Sequence, residues 1–152
     1  MPSNIRKVIK SKKKESSELL LSLQAQYQRN VVTSLLKYLA ILTPVKTGLL
    51  AGGWMVFSRK SKSIAPESIP VNSSRLISSG NRARIAKISG KGSVVLQNDI
   101  YYGKFQNDGW VHNPTPKAFG FIKLAQRLAA AELSASGLPE AGKAVAKIKI
   151  HY

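Results

Sequence analysis

The sequence predicts an α+β domain in which a long N-terminal helix and a second helix pack on a small, mostly antiparallel sheet. Three observations lead there. Apolar residues recur every three or four positions before Thr43, and the period drops to two after Trp54. A second helical stripe runs from Phe121 to Ala129. Short strand-like runs bounded by glycine and serine lie between the two.

The chain has 152 residues, enough for one ordinary domain. Lys and Arg number 24 against 7 Asp and Glu, a net charge of +17. That excess attracts nucleic acid, an anionic membrane or an acidic protein surface, and says little about fold. Cysteine is absent, so disulfides and thiolate metal sites are excluded. No apolar run approaches the roughly 20 residues that cross a bilayer.

Residues 1–14 carry Arg6, Lys7, Lys10, Lys12, Lys13 and Lys14 and no acid. A like-charged run predicts a disordered arm, here residues 1–16, that becomes ordered against a neighbour. From Ser17 a helix is expected, capped by Ser16 or Ser17, with Glu18 at its positive end. Leu20, Leu23, Tyr27, Val31, Leu35, Tyr38 and Leu42 lie at steps of three and four on one face. Residues 17–42 would span about 39 Å at 1.5 Å per residue.

Pro44 ends that helix, because it has no N–H and its ring clashes with the preceding turn. Gly48, Gly52 and Gly53 suit a tight reversal, so Pro44, Thr47, Gly48, Leu49 and Trp54 read as a structural turn. A strand is expected from Leu49 to Ser58, with Trp54, Val56 and Ser58 on one side and Met55 and Phe57 on the other. Residues 58–82, with Arg59, Lys60, Lys62, two prolines and repeated serines, read as a long exposed loop. Ala83–Ser89 and Ser93–Asn98 read as a hairpin around Gly90-Lys91-Gly92. That string lacks the spacing of a phosphate loop.

Tyr101, Tyr102, Phe105 and Trp110 crowd the next segment and suit core packing. Thr115-Pro116 then opens the second helix, whose stripe is Phe121, Leu124, Ala125, Leu128 and Ala129. Gly137 and Pro139 stop it, placing a domain boundary near residue 133. From Ala144 the chain alternates, and residues 134–152 read as a strand or extended tail.

Catalytic patterns are missing. The seven acids show no pairing for general acid–base work, and Asp99, Asp108 and His112 lack the second histidine or cysteine a metal site needs. The serines have no His or Asp partner in a recognisable motif. The expectation is a protein that is no enzyme and holds no cofactor. Zinc-finger, ribonucleoprotein and helix-turn-helix patterns are missing too.

A helix ending in Thr43-Pro-Val-Lys-Thr-Gly-Leu-Leu, followed by a strand opening with Gly-Trp54, resembles the signature of tailed-phage tail-completion proteins. These are also called neck, head–tail joining or minor tail proteins. Asn98-Asp-Ile-Tyr-Tyr-Gly-Lys-Phe-Gln-Asn-Asp-Gly109 is similar to a second motif of that family, with Tyr102, Gly103 and Gly109 on its Tyr, Ala and Gly positions. Ala118-Phe-Gly-Phe121 resembles its closing helix. Lys46 stands where an acid is usual, Gln106-Asn107 where Glu is usual, and Gly53 where Ser is usual.

The resemblance covers residues 17–133. It implies a structural subunit that forms a homo-oligomeric ring of six or twelve copies in the virion neck, assembled in the host cytoplasm. Portal and adaptor proteins would lie above it and tail terminator or tail tube proteins below. Genomic DNA would pass through the lumen without sequence preference, and no membrane would be involved. Arg6, Lys7, Lys10, Lys12, Lys13, Lys14, Arg59, Lys60 and Lys62 are the candidate contacts to DNA or a partner. The alternative is a small basic protein that binds nucleic acid non-specifically, since +17 suffices for substantial phosphate binding.

Overall fold

The computed structural model describes residues 2–43, 53–58, 79–99 and 120–152. Pro44, Thr47, Gly48, Leu49, Arg59, Lys60, Lys62, Tyr102, Gly103 and Gly109 lie outside the described residues, as do the Thr115-Pro116 cap and most of the loop 58–82. Among the described residues, four helices accompany one three-stranded sheet, an α+β fold.

Helix α1 runs from Pro2 to Leu42, 41 residues without a break. It begins well before Ser17, so the expected disordered arm is helical instead. No glycine or further proline interrupts the stretch, and lysine, leucine, glutamine and alanine all favour helix. Pro2 is tolerated in the first turn, where its missing N–H has no partner to lose. Ser16 and Ser17 therefore sit mid-helix, and Glu18 faces Lys14 at 3.9 Å in an exposed pair.

Strand β1 is Met55–Phe57, inside the range expected for it. Trp54 and Val56 are buried and Ser58 is exposed. Helix α2 follows at Ser79–Ala86. This corrects the hairpin reading of Ala83–Ser89 and shortens the expected loop by its last four residues. Asn81 and Ile85, one helical turn apart, are the buried positions, and the intervening Arg82, Ala83 and Arg84 are not alternately buried. The turn at Gly90-Lys91-Gly92 is present, with φ of +83° and +79° at its two glycines.

Strand β2, Val95–Gln97, is buried throughout and forms the centre of the sheet. It pairs antiparallel with β1, Val56 opposite Leu96. On its other side it pairs parallel with β3, Lys149–His151, Leu96 opposite Ile150. The sheet is thus mixed.

Helix α3 is Phe121–Ala135. Phe121, Ile122, Ala125, Ala129 and Leu133 are its buried residues, while Leu124 and Leu128 of the expected stripe are partly exposed. It ends as the sequence indicates. Gly137 has φ +87°, and the N–H of Leu138 returns to the Leu133 carbonyl at 2.9 Å.

Helix α4, Ala141–Lys147, corrects the extended reading of that part of the tail, while Lys149–His151 forms a strand. Ala141, Ala144, Val145 and Ile148 are buried at helical steps of three and four. The core lies between the C-terminal half of α1, helices α3 and α4, and one face of the sheet, around Leu35, Leu36, Leu39, Trp54 and Leu96.

Candidate interaction surface

Helix α1 changes character midway. Between Ala25 and Leu42 its buried residues, including Val31, Val32, Leu35, Leu36 and Leu39, face the body. From Ser3 to Leu20 every residue is exposed. At about 100° per residue, Ile5, Val8, Ile9, Leu19, Leu20 and Leu23 fall in one arc of roughly 120°. That arc is centred away from the core-facing one but overlaps it at its edge, where Leu20 lies close to the direction of Val31 and Leu23 joins Tyr27 and Val31 along a cleft. Each of the six is more than half exposed. Leu20 and Leu23 share the broad face of Val31 and Leu35, as their steps of three and four indicate, but they lie on the stretch of α1 that the body does not cover and stay more than half exposed.

Arg6, Lys7, Lys10, Lys13 and Lys14 occupy the opposite arc, the one that faces the body further along. Lys12 alone stands within the apolar arc. All six expected basic contacts on α1 are therefore exposed, and five share one face. Ile5, Val8 and Ile9 were missed by the sequence reading. Their spacing of three and one was legible, but the surrounding charge suggested a solvated arm.

Two acids of the body, Glu132 and Glu140, are matched by lysines. Glu132 on α3 accepts hydrogen bonds from Ser34 Oγ at 2.6 Å and from Lys37 Nζ, both on α1. The Lys37 bond first, and the Ser34 bond second, hold its carboxyl below the ordinary value. Glu140 meets Lys143 at 3.1 Å.

Where α1 ends, Trp54 Nε1 donates to Thr43 Oγ1 at 3.0 Å, and the Thr43 hydroxyl donates to the Leu39 carbonyl. Asn81 Nδ2 donates to the Trp54 carbonyl at 2.6 Å, and Asn81 Oδ1 accepts from Val56 N–H at 3.3 Å. Of the five expected turn residues, Trp54 thus serves as a buried anchor tying α1, β1 and α2 together.

A cleft of about 670 Å³ opens where the apolar stripe meets the body. Leu23, Tyr27 and Val31 line one wall, and Val94, Ala144 and Ile148 the other. Gln28 Nε2 donates to the Gly92 carbonyl at 3.2 Å beside it, and Tyr27 Oη donates to the Pro139 carbonyl at 2.8 Å. No cluster of three metal-ligating side chains occurs among the described residues. Nor, among them, is any helix long and apolar enough to cross a membrane. The arrangement offers a surface for contact with apolar and anionic groups. Compared with known proteins, the chain matches no family model, no curated protein and no solved structure.

Proposed function

We propose that this chain is a structural subunit of a tailed-phage neck, forming a ring of six or twelve copies that joins the portal and adaptor to the tail. The observation that carries the reading is the first half of α1. It stands clear of its own domain with an apolar face on one side and five bases on the other. A subunit made for contact with neighbours needs such a surface, and a self-contained soluble domain does not. The resemblance of Thr43–Trp54 to the family signature supports it, because Thr43 and Trp54 close on each other as buried partners. The basic face would meet DNA in the lumen or an acidic surface on an adjoining ring. The protein has no catalytic part to play in this account.

The basic arc of α1 also favours a second reading, non-specific nucleic-acid binding as the main role. Native mass measurement and electron microscopy of the purified protein test the first reading: rings of six or twelve copies are expected. Monomers that bind DNA in a salt-dependent way, with no ring at any concentration, would favour the second.

A further inference from the structure

We propose that the exposed apolar stripe of α1 pairs antiparallel with the same stripe of a second copy, so that Ile5 of one lies against Leu23 of the other. This inference does not rest on the neck reading: a two-fold pair relates copies of opposite direction, so it is a contact between two rings and not one within a ring whose copies all point the same way.

The need for an occupant comes from helix physics. A highly charged helical segment lying in water gains little from its own hydrogen bonds and is marginal without packing. Every residue from Ser3 to Leu20 is exposed, so the body leaves the stripe uncovered. The residues then choose the partner and its direction. In a parallel, in-register pair Lys12 would face its own copy across the seam. In the antiparallel pair Val8 meets Leu20 and Ile9 meets Leu19, apolar on apolar. Lys12 then falls between Ser16 and Glu15 of the other copy, on the same flank of the seam as that Glu15. The antiparallel register moves the two Lys12 side chains about 6 Å apart along the seam and sets each beside a Glu15 of the other copy.

The strong positive charge does not forbid this. Arg6, Lys7, Lys10 and Lys14 lie on the far side of each helix and would face outward. The two basic faces are then separated by both helices, farther than the Debye length of about 8 Å at physiological salt. Only Lys13 sits on the rim, in water. Six large apolar side chains per copy, each more than half exposed, bring the pair to roughly the 1,000 Å² that specific interfaces need. The partner's Ile5 would lie at Leu23, at the mouth of the 670 Å³ cleft, where it finds an apolar wall.

The test uses the full chain. Its native mass, measured by light scattering across a concentration series, is expected to be an even multiple of the subunit. Replacing Leu20→Asp together with Leu23→Asp should halve that mass and lower helicity at 222 nm while the thermal transition of the body persists, since both residues are exposed in the subunit. The chain has no cysteine, so orientation can be read directly. Copies carrying Ile5→Cys mixed with copies carrying Leu23→Cys should form a disulfide-linked dimer, and Ile5→Cys alone should not. An odd or monomeric mass, a mass unmoved by the double replacement, or cross-linking by Ile5→Cys alone would overturn the proposal. So would a monomer whose stripe instead binds vesicles of phosphatidylcholine and phosphatidylglycerol and loses that binding in the double variant.

Discussion

Gly90→Ala should destabilise the fold far more than Gly92→Ala, although both glycines sit in one turn. Both have positive φ, +83° and +79°, so an alanine at either position bears the strain of a left-handed backbone, about 1–2 kcal/mol. They differ in what a new methyl group would meet. At Gly90 a Cβ would lie 2.8 Å from the amide nitrogen of Ala25 and 2.8 Å from the carbonyl oxygen of Leu21. Both are backbone atoms of α1 and cannot rotate aside as a side chain would. The turn must lift off the helix, loosening the contacts that Gln28 and Arg29 make with the Gly92 and Ile88 carbonyls. At Gly92 no heavy atom lies within 4 Å of such a Cβ. The steric part adds about 2 kcal/mol at Gly90 alone, giving roughly 3–4 kcal/mol against 1–2 kcal/mol. At about 2–4 °C per kcal/mol for a domain of this size, the two melting temperatures should separate by several degrees. Urea unfolding followed by circular dichroism at 222 nm measures both. Equal losses would show that the turn does not rest on the α1 backbone, and the packing reasoning would fail.

Other perturbations follow from the same geometry. Leu96→Ala, at a fully buried position in the central strand, should cost about 2–5 kcal/mol by denaturant titration. Asn81→Ala removes the amide that serves the Trp54 carbonyl and the Val56 N–H, and should cost about 2–3 kcal/mol. A value near zero would show that Asn81 does not hold β1 to α2. Glu132 has a depressed carboxyl pKa, so its stabilising contribution is complete above the ordinary value of 4.5 and is lost as pH falls below it. Its carboxylate is well exposed to solvent, so Glu132→Gln should remove only about 0.5–1 kcal/mol at neutral pH and nothing once the wild-type group is protonated. A difference that persists unchanged at low pH would refute the ionic account.

The sequence made the body legible where two signals agreed. Val31 and Leu35 lie on the helical face that packs, and Gly137 with Pro139 ends α3 as expected because glycine takes the left-handed angle there. Val95 and Leu96 lie in the buried central strand. The misreadings came from weighing one signal alone. In residues 1–14 charge outweighed the helix-forming character of lysine and the spacing of Ile5, Val8 and Ile9. In 141–148 alternation masked a helical set, Ala141, Ala144, Val145 and Ile148, although alternation and helix share several of those positions. At Ala83–Ser89 the glycine turn suggested a hairpin, yet a two-arginine segment with its buried residues four apart folds as helix. The interaction surface was half legible. The six bases of α1 stood out by composition, but the exposed apolar stripe from Ile5 to Leu23 depends on the helix being continuous, and continuity shows only in three dimensions.

The function proposed for the protein is to join head to tail. The most direct measurement is electron microscopy of particles made by the phage when this protein is withheld, followed by addition of the purified protein. The account predicts finished heads beside separate finished tails, and joined infectious particles once the protein is restored. Joined, infectious particles assembled in its absence would contradict it.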